Sequence, residues 1–192
     1  MPQRPLEARR ALAPARAKEP EPWLLERIRV RDGNDADVPA LVRLINEAYR
    51  PVDWWIFERP RVRDEAEYRN ELETSGGKGI VVDLDGVPVA HAVLWLNRDQ
   101  WRGASIGMFA TAREVQGKGI ATILMHEAER RAREAGFDRL NLDCVRENGL
   151  PDYYESLGFT AEREKRMLAH PHSNSGNATS EWTRVYMSKE LR

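Results

Sequence analysis

The sequence predicts an α/β domain built on a mixed sheet, and three observations predict it. Residues 105–111 are apolar and turn-free enough to be a buried strand, and they lead through Gln116-Gly117-Lys118-Gly119 into Ile120, Ile123, Leu124, Ala128, Ala132 and Ala135 at helical spacing. Residues 137–145 then read as another strand, so strand, loop, helix and strand together have the length of a parallel crossover unit. Residues 79–84 and 87–96 flank Asp85-Gly86, a strong turn pair, and so predict an antiparallel hairpin. Parallel and antiparallel pairings in one chain make the sheet mixed.

The remaining elements follow in order. Residues 26–31 alternate, with Ile28 and Val30 on one side, as a first strand does. Asp35 or Asp37 caps a helix whose Val38, Leu41, Val42, Leu44, Ile45, Ala48 and Tyr49 form an apolar stripe, and Pro51 is expected to end it. A short helix is predicted over 63–73, before the break Ser75-Gly76-Gly77. Gly136 is the expected C-cap of the helix that starts at Ile120. A further short helix carries Tyr153 and Tyr154, and residues 160–167 and 182–189 form a final hairpin across a loop rich in Pro, Ser, Asn and Gly.

The first 22 residues differ from the rest. Pro2, Pro5, Pro14, Pro20 and Pro22 stand among Arg, Ala and Glu, so residues 1–22 are expected to form a disordered tail, with one domain over 23–192. The tail has no apolar core of a secretory signal, and Glu7, Glu19 and Glu21 argue against a transit peptide, which leaves a cytoplasmic setting as the expectation. The chain has 192 residues, 41 % of them hydrophobic. A domain of that size buries on the order of 70 % of its unfolded surface and needs no disulfide or metal. Cys144 is the lone cysteine, expected to be a small apolar residue in a strand, and no Cys/His spacing suits zinc. A net charge of −1 leaves no electrostatic footprint for nucleic acid or an anionic membrane. No stretch reaches the ~18 apolar residues of a membrane span.

The loop at 116–121 is the most informative segment. A glycine-rich loop opening a helix presents unpaired N–H groups at the positive end of the helix dipole, which binds phosphate. It has neither the Lys-Ser/Thr ending of a Walker A loop nor the G-x-G-x-x-G dinucleotide pattern. Read as Q-x-x-G-x-A, it resembles the acyl-coenzyme A loop, Q/R-x-x-G-x-G/A, of the GCN5-related N-acetyltransferases. Asn148 and Tyr153-Tyr154-Glu155-Ser156-Leu157-Gly158-Phe159 look like the N…(L/F)-Y-E-x-x-G-F signature of that family, in the expected order. The likeness is densest over residues 106–159.

That resemblance implies a mixed sheet of about seven strands splayed between the fourth and fifth, with about four helices. It implies acetyl-coenzyme A as donor, with Met108, Phe109 and Ala110 meeting the pantetheine arm. Gln116, Gly117, Lys118, Gly119, Ile120, Ala121 and Thr122 would meet the pyrophosphate, and Asn148 would be a coenzyme contact although its spacing to Tyr154 is one residue short. Tyr154 matches the general acid that protonates the departing thiolate, and a backbone N–H near Phe109 and Ala110 would polarise the carbonyl. Many relatives carry a Glu where this chain has Ser105, so no base carries over. Asp143, a carboxylate in a parallel strand, is the first candidate and His91 the second.

Trp54, Trp55 and Phe57 lie in the segment that borders the acceptor site in the family, and aromatic faces hold amines or apolar bodies. Asp53 and Glu58 would attract a cationic amine. His170 and His172 sit in the last loop, expected to be another lip of the site and a solvated pair rather than a metal site. The expected acceptor is the amine of a small molecule, with no metal. The competing expectations are a protein acetyltransferase acting on a lysine or an N-terminus, and a coenzyme-binding regulatory module without turnover. Edge strands in the C-terminal hairpin would let two copies pair as a homodimer.

Overall fold

Continuous burial along a central strand settles how the layers stack. In the run Ile80-Val81-Val82 all three side chains are buried, Ile80 and Val82 in one apolar cluster and Val81 in another on the opposite face. A strand buried on both faces must be covered on both. The computed structural model describes residues 16–57, 59–96, 103–169, 178 and 180–191. Its elements are α1 (Pro22–Leu25), β1 (Ile28–Asp32), α2 (Val38–Asp53), α3 (Glu65–Ser75), β2 (Lys78–Leu84), β3 (Val87–Trp95), β4 (Ala104–Thr111), α4 (Ile120–Glu134), β5 (Arg139–Val145), α5 (Leu150–Ser156), β6 (Thr160–Met167) and β7 (Trp182–Glu190).

The strands form one 7-stranded sheet in the order β1-β2-β3-β4-β5-β7-β6. Every pairing is antiparallel except that of β4 with β5. On one face α4 places Ile120, Leu124, Met125, Ala128 and Ala132 in the larger core, which α5 extends with Tyr153 and Tyr154. On the other face α2 buries Leu41, Leu44 and Ile45 with Tyr68 of α3. Burying such side chains contributes about 1.5–3 kcal/mol each. Lys189 of β7 binds the buried Glu129 at 2.6 Å, tying α4 to the C-terminal half of the sheet.

The sheet opens in its middle. β4 and β5 pair only at Ala104–Leu140 and Ser105–Asn141, where Asn141 also donates to the Ala104 carbonyl at 3.0 Å. Beyond this base β4 runs on to Thr111 and β5 to Val145 without pairing to each other. A bulge in β4 accompanies the parting. Val93 faces Gly107 and His91 faces Ala110, so β4 spends one residue more than β3 over this interval. Met108 absorbs it at φ +48°, a left-handed conformation that costs a side-chain-bearing residue about 1–3 kcal/mol. The splayed mixed sheet is thus as expected.

Two details differ from expectation. Pro51 does not end α2, which continues to Asp53 with the proline inside its last turn. A proline there removes one N–H, and carbonyls near a helix end face water in any case. Asp37 does not cap α2 through its side chain. Asn34 instead caps the short turn Asp35–Asp37 in a capping box, while Asp37 grips Arg31 at 2.6 and 2.8 Å. At the far edge, β6 is almost wholly exposed and carries Glu162, Arg163, Glu164, Lys165 and Arg166, charges of the kind that guard an unpaired strand edge.

Candidate functional site

A cavity of about 410 Å³ passes through the opening between β4 and β5. From one side of the sheet α2 supplies Ala48, Tyr49 and Val52; from the other come Val115, Gln116, Gly117, Gly119, Ala121, Thr122, Leu150, Tyr153 and Tyr154. Phe109 and Thr111 of β4 line the wall between them. The bulge explains why Phe109 reaches this wall: Met108 packs with the α2-side core and Ala110 is buried opposite His91, so the extra residue turns Phe109 toward the gap.

At one end lies the loop before α4. Gly117 has φ +73° and Gly119 has φ +86°, conformations that a side chain resists. Among the described residues, the N–H groups of Gly117, Gly119, Ile120 and Ala121 have no protein acceptor. Free donors at the start of a 15-residue helix fit a diphosphate. Gln116 holds the loop's entry by donating to the Thr111 carbonyl at 3.0 Å. Lys118 points away, its ammonium 5.5 Å from the Trp23 ring centroid. Ile120 is buried in the core, so only its backbone is available.

Of the residues assigned to a tail, 1–15 lie outside the described residues, whereas 16–22 lie against this loop. Lys18 offers its carbonyl to Thr122 Oγ1 at 2.7 Å, Ala17 N–H donates to Ser156 Oγ at 2.7 Å, and Glu21 N–H donates to the Lys118 carbonyl at 3.2 Å. Leu24 of α1, fully buried in the larger core, pins the end of this segment.

Tyr154 lines the cavity, only 8 % exposed, with Tyr153 and Phe159 edge-on at ring-centroid distances of 5.3 and 6.0 Å. Among the described residues its hydroxyl bonds no protein group, so the hydroxyl faces the cavity. Burial raises its pKa well above 10, and Tyr49, Cys144, Tyr153 and Asp143 push the same way, so it keeps its proton. Tyr153 is pushed up to about 12 by burial alone. Tyr49 is shifted upward too, mainly by burial and further by Asp53 and Asp143, while Arg61, over its ring at 4.9 Å, opposes the shift. Two carboxylates and two tyrosines therefore share the electrostatics of the far side of the opening.

Asp143 is partly exposed on β5, with Arg184 Nε at 3.5 Å. Asp53, at the end of α2, is buried, and desolvation lifts its pKa to about 6 against the pull of Arg61. His91 is not brought to the cavity. It is fully buried between Tyr68, whose hydroxyl lies 3.1 Å from Nε2, and the Ile80 carbonyl, 3.0 Å from Nδ1, and burial lowers its pKa to about 4. A neutral imidazole with both nitrogens engaged is a core residue here. Cys144 is likewise inert, its thiol pushed up to about 12 by burial.

Asn148 does not line the cavity either: it is buried and accepts from Trp55 Nε1 at 3.2 Å. Trp55 also donates to the Val52 carbonyl at 2.9 Å. Phe57 lies edge-on to Trp182 at 6.1 Å and bridges to Ala178, so Trp55, Ile56 and Phe57 anchor their segment to the C-terminal half of the sheet. Trp54 is 40 % exposed. Glu58, His170 and His172 lie outside the described residues. Among the described residues no group of His, Cys, Asp or Glu side chains is placed to hold a metal ion, and no helix is long and apolar enough to cross a membrane. Tyr49, Val52, Leu150 and the loop-facing Arg16 and Lys18 were not foreseen; Tyr49 carried a signal only as part of an apolar stripe.

Comparison with known proteins gives a consistent picture. The model of the acetyltransferase (GNAT) family matches residues 39–159. Among solved structures, ribosomal-protein-alanine N-acetyltransferase from Brucella melitensis is 22 % identical with a TM-score of 0.65, covering 85 % of this chain and 99 % of that one. The putative acetyltransferase yncA from Salmonella typhimurium, solved with its cofactor acetyl-CoA, is 20 % identical with a TM-score of 0.64, covering 86 % and 94 %. An N-acetyltransferase from Staphylococcus aureus is 15 % identical with a TM-score of 0.66, covering 86 % and 99 %. At these identities the likeness is one of fold.

Proposed function

Because this chain belongs to the acetyltransferase (GNAT) family, we propose that it moves an acetyl group from acetyl-coenzyme A directly to the primary amine of a small molecule, with both bound at once. The observation that carries this is the unbonded Tyr154 hydroxyl in a cavity that runs through the sheet, with phosphate-type donors at one end and carboxylates beyond the other.

Acetyl-coenzyme A supplies an acyl group activated as a thioester. The loop from Gln116 to Thr122 holds the diphosphate, and the edge of β4 around Phe109 guides the arm into the opening. As the amine nitrogen bonds the carbonyl carbon and the C–S bond breaks, Tyr154 gives its proton to the departing sulfur. Its raised pKa keeps the hydroxyl protonated at neutral pH, so the proton is in place to be given. The amine must also lose a proton. A lysine-like amine is neutral in about one part in 2,500 at pH 7, a cost of ~4.6 kcal/mol. Asp143 is the proposed acceptor of that proton. Asp53, with a pKa near 6, adds negative charge that attracts the ammonium form.

The small-molecule acceptor is supported by the pinned wall. Trp55, Ile56 and Phe57 are locked against Trp182 and Ala178, leaving a fixed boundary where an extended peptide needs a groove. An amine-library screen with a thiol-release readout tests the proposal. Turnover with free amines supports it, and turnover only with protein lysines or N-termini contradicts it.

A further inference from the structure

Arg16 and Lys18 occupy a place that the coenzyme loop does not explain. The segment they belong to spans two helices, held at α4 by Thr122 and Lys118 and at α5 by Ser156. A ligand lying in the cavity with its diphosphate on the α4 loop has to leave between those helices, and this strap crosses that gap. Its fit is close: a Cβ built on Gly119 would stand 2.4 Å from Pro20 Cα and 2.6 Å from the Glu19 carbonyl oxygen. The glycine thus admits the strap's backbone against the loop. Yet the strap uses only the loop's acceptors and the Thr122 hydroxyl, leaving the N–H groups of Gly117, Gly119, Ile120 and Ala121 unengaged.

The side chains then add charge of one sign. Arg16 and Lys18 both line the cavity, and Lys18 Nζ lies 3.8 Å from where a Cβ of Gly117 would be. Among the described residues neither takes part in an ion pair, while Glu21, the nearby acid, is held by the Trp23 indole at 2.6 Å. Both residues are exposed and both add positive charge to the cavity at whose end α4 begins, which favours an anion there.

Resting on the acetyl-coenzyme A site proposed above, we infer that residues 16–21 form a clamp closing over the bound coenzyme, with Arg16 and Lys18 as phosphate-binding residues facing the loop's N–H groups. The ligand class is a phosphorylated coenzyme entering beneath the strap, and the phosphates are what the clamp senses.

The test uses the full chain, coenzyme A as probe, and two readouts that need no turnover. Calorimetry should show the Arg16→Ala/Lys18→Ala variant binding coenzyme A about tenfold more weakly than wild type, a loss of about 1.4 kcal/mol. That gap should narrow as salt is raised, because exposed charge contacts are screened over about 8 Å at 0.15 M. Trypsin cutting after Arg16 and Lys18, followed by mass spectrometry, should slow when coenzyme A is added. Unchanged or tighter binding by the variant overturns the clamp, and so does faster cutting with coenzyme present, the behaviour of a plug that the ligand expels. If wild type itself binds no coenzyme A, the site assignment falls and the clamp falls with it.

Discussion

The two ends of the cavity are built differently. The proposed donor end is backbone: a loop with two left-handed glycines, free N–H groups at the start of α4, and a bulged strand, all within residues 107–122. The proposed acceptor end is assembled from side chains far apart in the chain, namely Tyr49 and Asp53 of α2, Trp55 bonded to Asn148, Asp143 beside Arg184, and Phe57 against Trp182. Backbone geometry recognises what is constant in a substrate, the phosphates and the amide-bearing arm. Side chains on separate elements can vary without disturbing the fold, and in the proposed reading acceptor choice resides there.

Changes at each end should therefore separate donor binding, chemistry and stability. The largest expected effect is that of Tyr154→Phe. General acid catalysis is worth about 10²–10⁴-fold, so kcat should fall at least about 100-fold. Because the hydroxyl bonds no described protein group, melting temperature and coenzyme affinity should stay near wild type. A loss of coenzyme binding in this variant would mean that Tyr154 belongs to the donor end after all.

Next is Asp53→Asn, which probes the acceptor end through stability. The folded-state pKa of Asp53 is raised from 3.8 to about 6. Its contribution is fully present below pH 3.8 and is lost as pH rises through 6, since ionising the carboxylate costs the folded state more than the unfolded one. The asparagine variant should be more stable than wild type by about 1–3 kcal/mol at pH 8, and the gain should vanish near pH 4. Denaturant titration at the two pH values checks the sign, and a variant less stable at pH 8 would show that the Asp53 charge is well paired.

A smaller effect is expected from Gly117→Val. A β-branched residue at φ +73° is strained, and its side chain would stand on the diphosphate path. Coenzyme affinity measured by calorimetry should drop about tenfold, about 1.4 kcal/mol, while acceptor KM at saturating donor stays unchanged. The smallest kinetic effect should come from Trp55→Phe. Losing the indole N–H leaves the buried Asn148 short of a donor and costs about 1–3 kcal/mol in stability. In kinetics it should raise acceptor KM severalfold and leave coenzyme Kd alone. If Trp55→Phe instead weakened coenzyme binding, the division between the two ends would fail.

The same contrast explains what could be read before the structure. The loop, α4 and β5 follow from local periodicity and turn chemistry, and the parallel crossover follows from their order, so the framework of this part of the fold was legible. Tyr49 was visible only as one apolar position in a helical stripe, because periodicity reports burial and does not distinguish core from cavity wall. His91 looked like a candidate base because its strand position cannot reveal Tyr68 and the Ile80 carbonyl, which engage its ring. Asn148 was matched to a coenzyme role by motif, whereas its partner is Trp55, 93 residues away. Residues 16–22 were grouped with a proline-rich tail because their anchors, Thr122 and Ser156, lie 104 and 139 residues further along. Composition carries no information about such long-range partners.

One crystal structure with acetyl-coenzyme A bound tests the central claim most directly. The account predicts a diphosphate on the N–H groups of Gly117, Gly119, Ile120 and Ala121, and the pantetheine arm between β4 and β5 with its thioester sulfur within hydrogen-bonding reach of the Tyr154 hydroxyl. A diphosphate bound elsewhere, or an arm that leaves the opening between those strands empty, would contradict it.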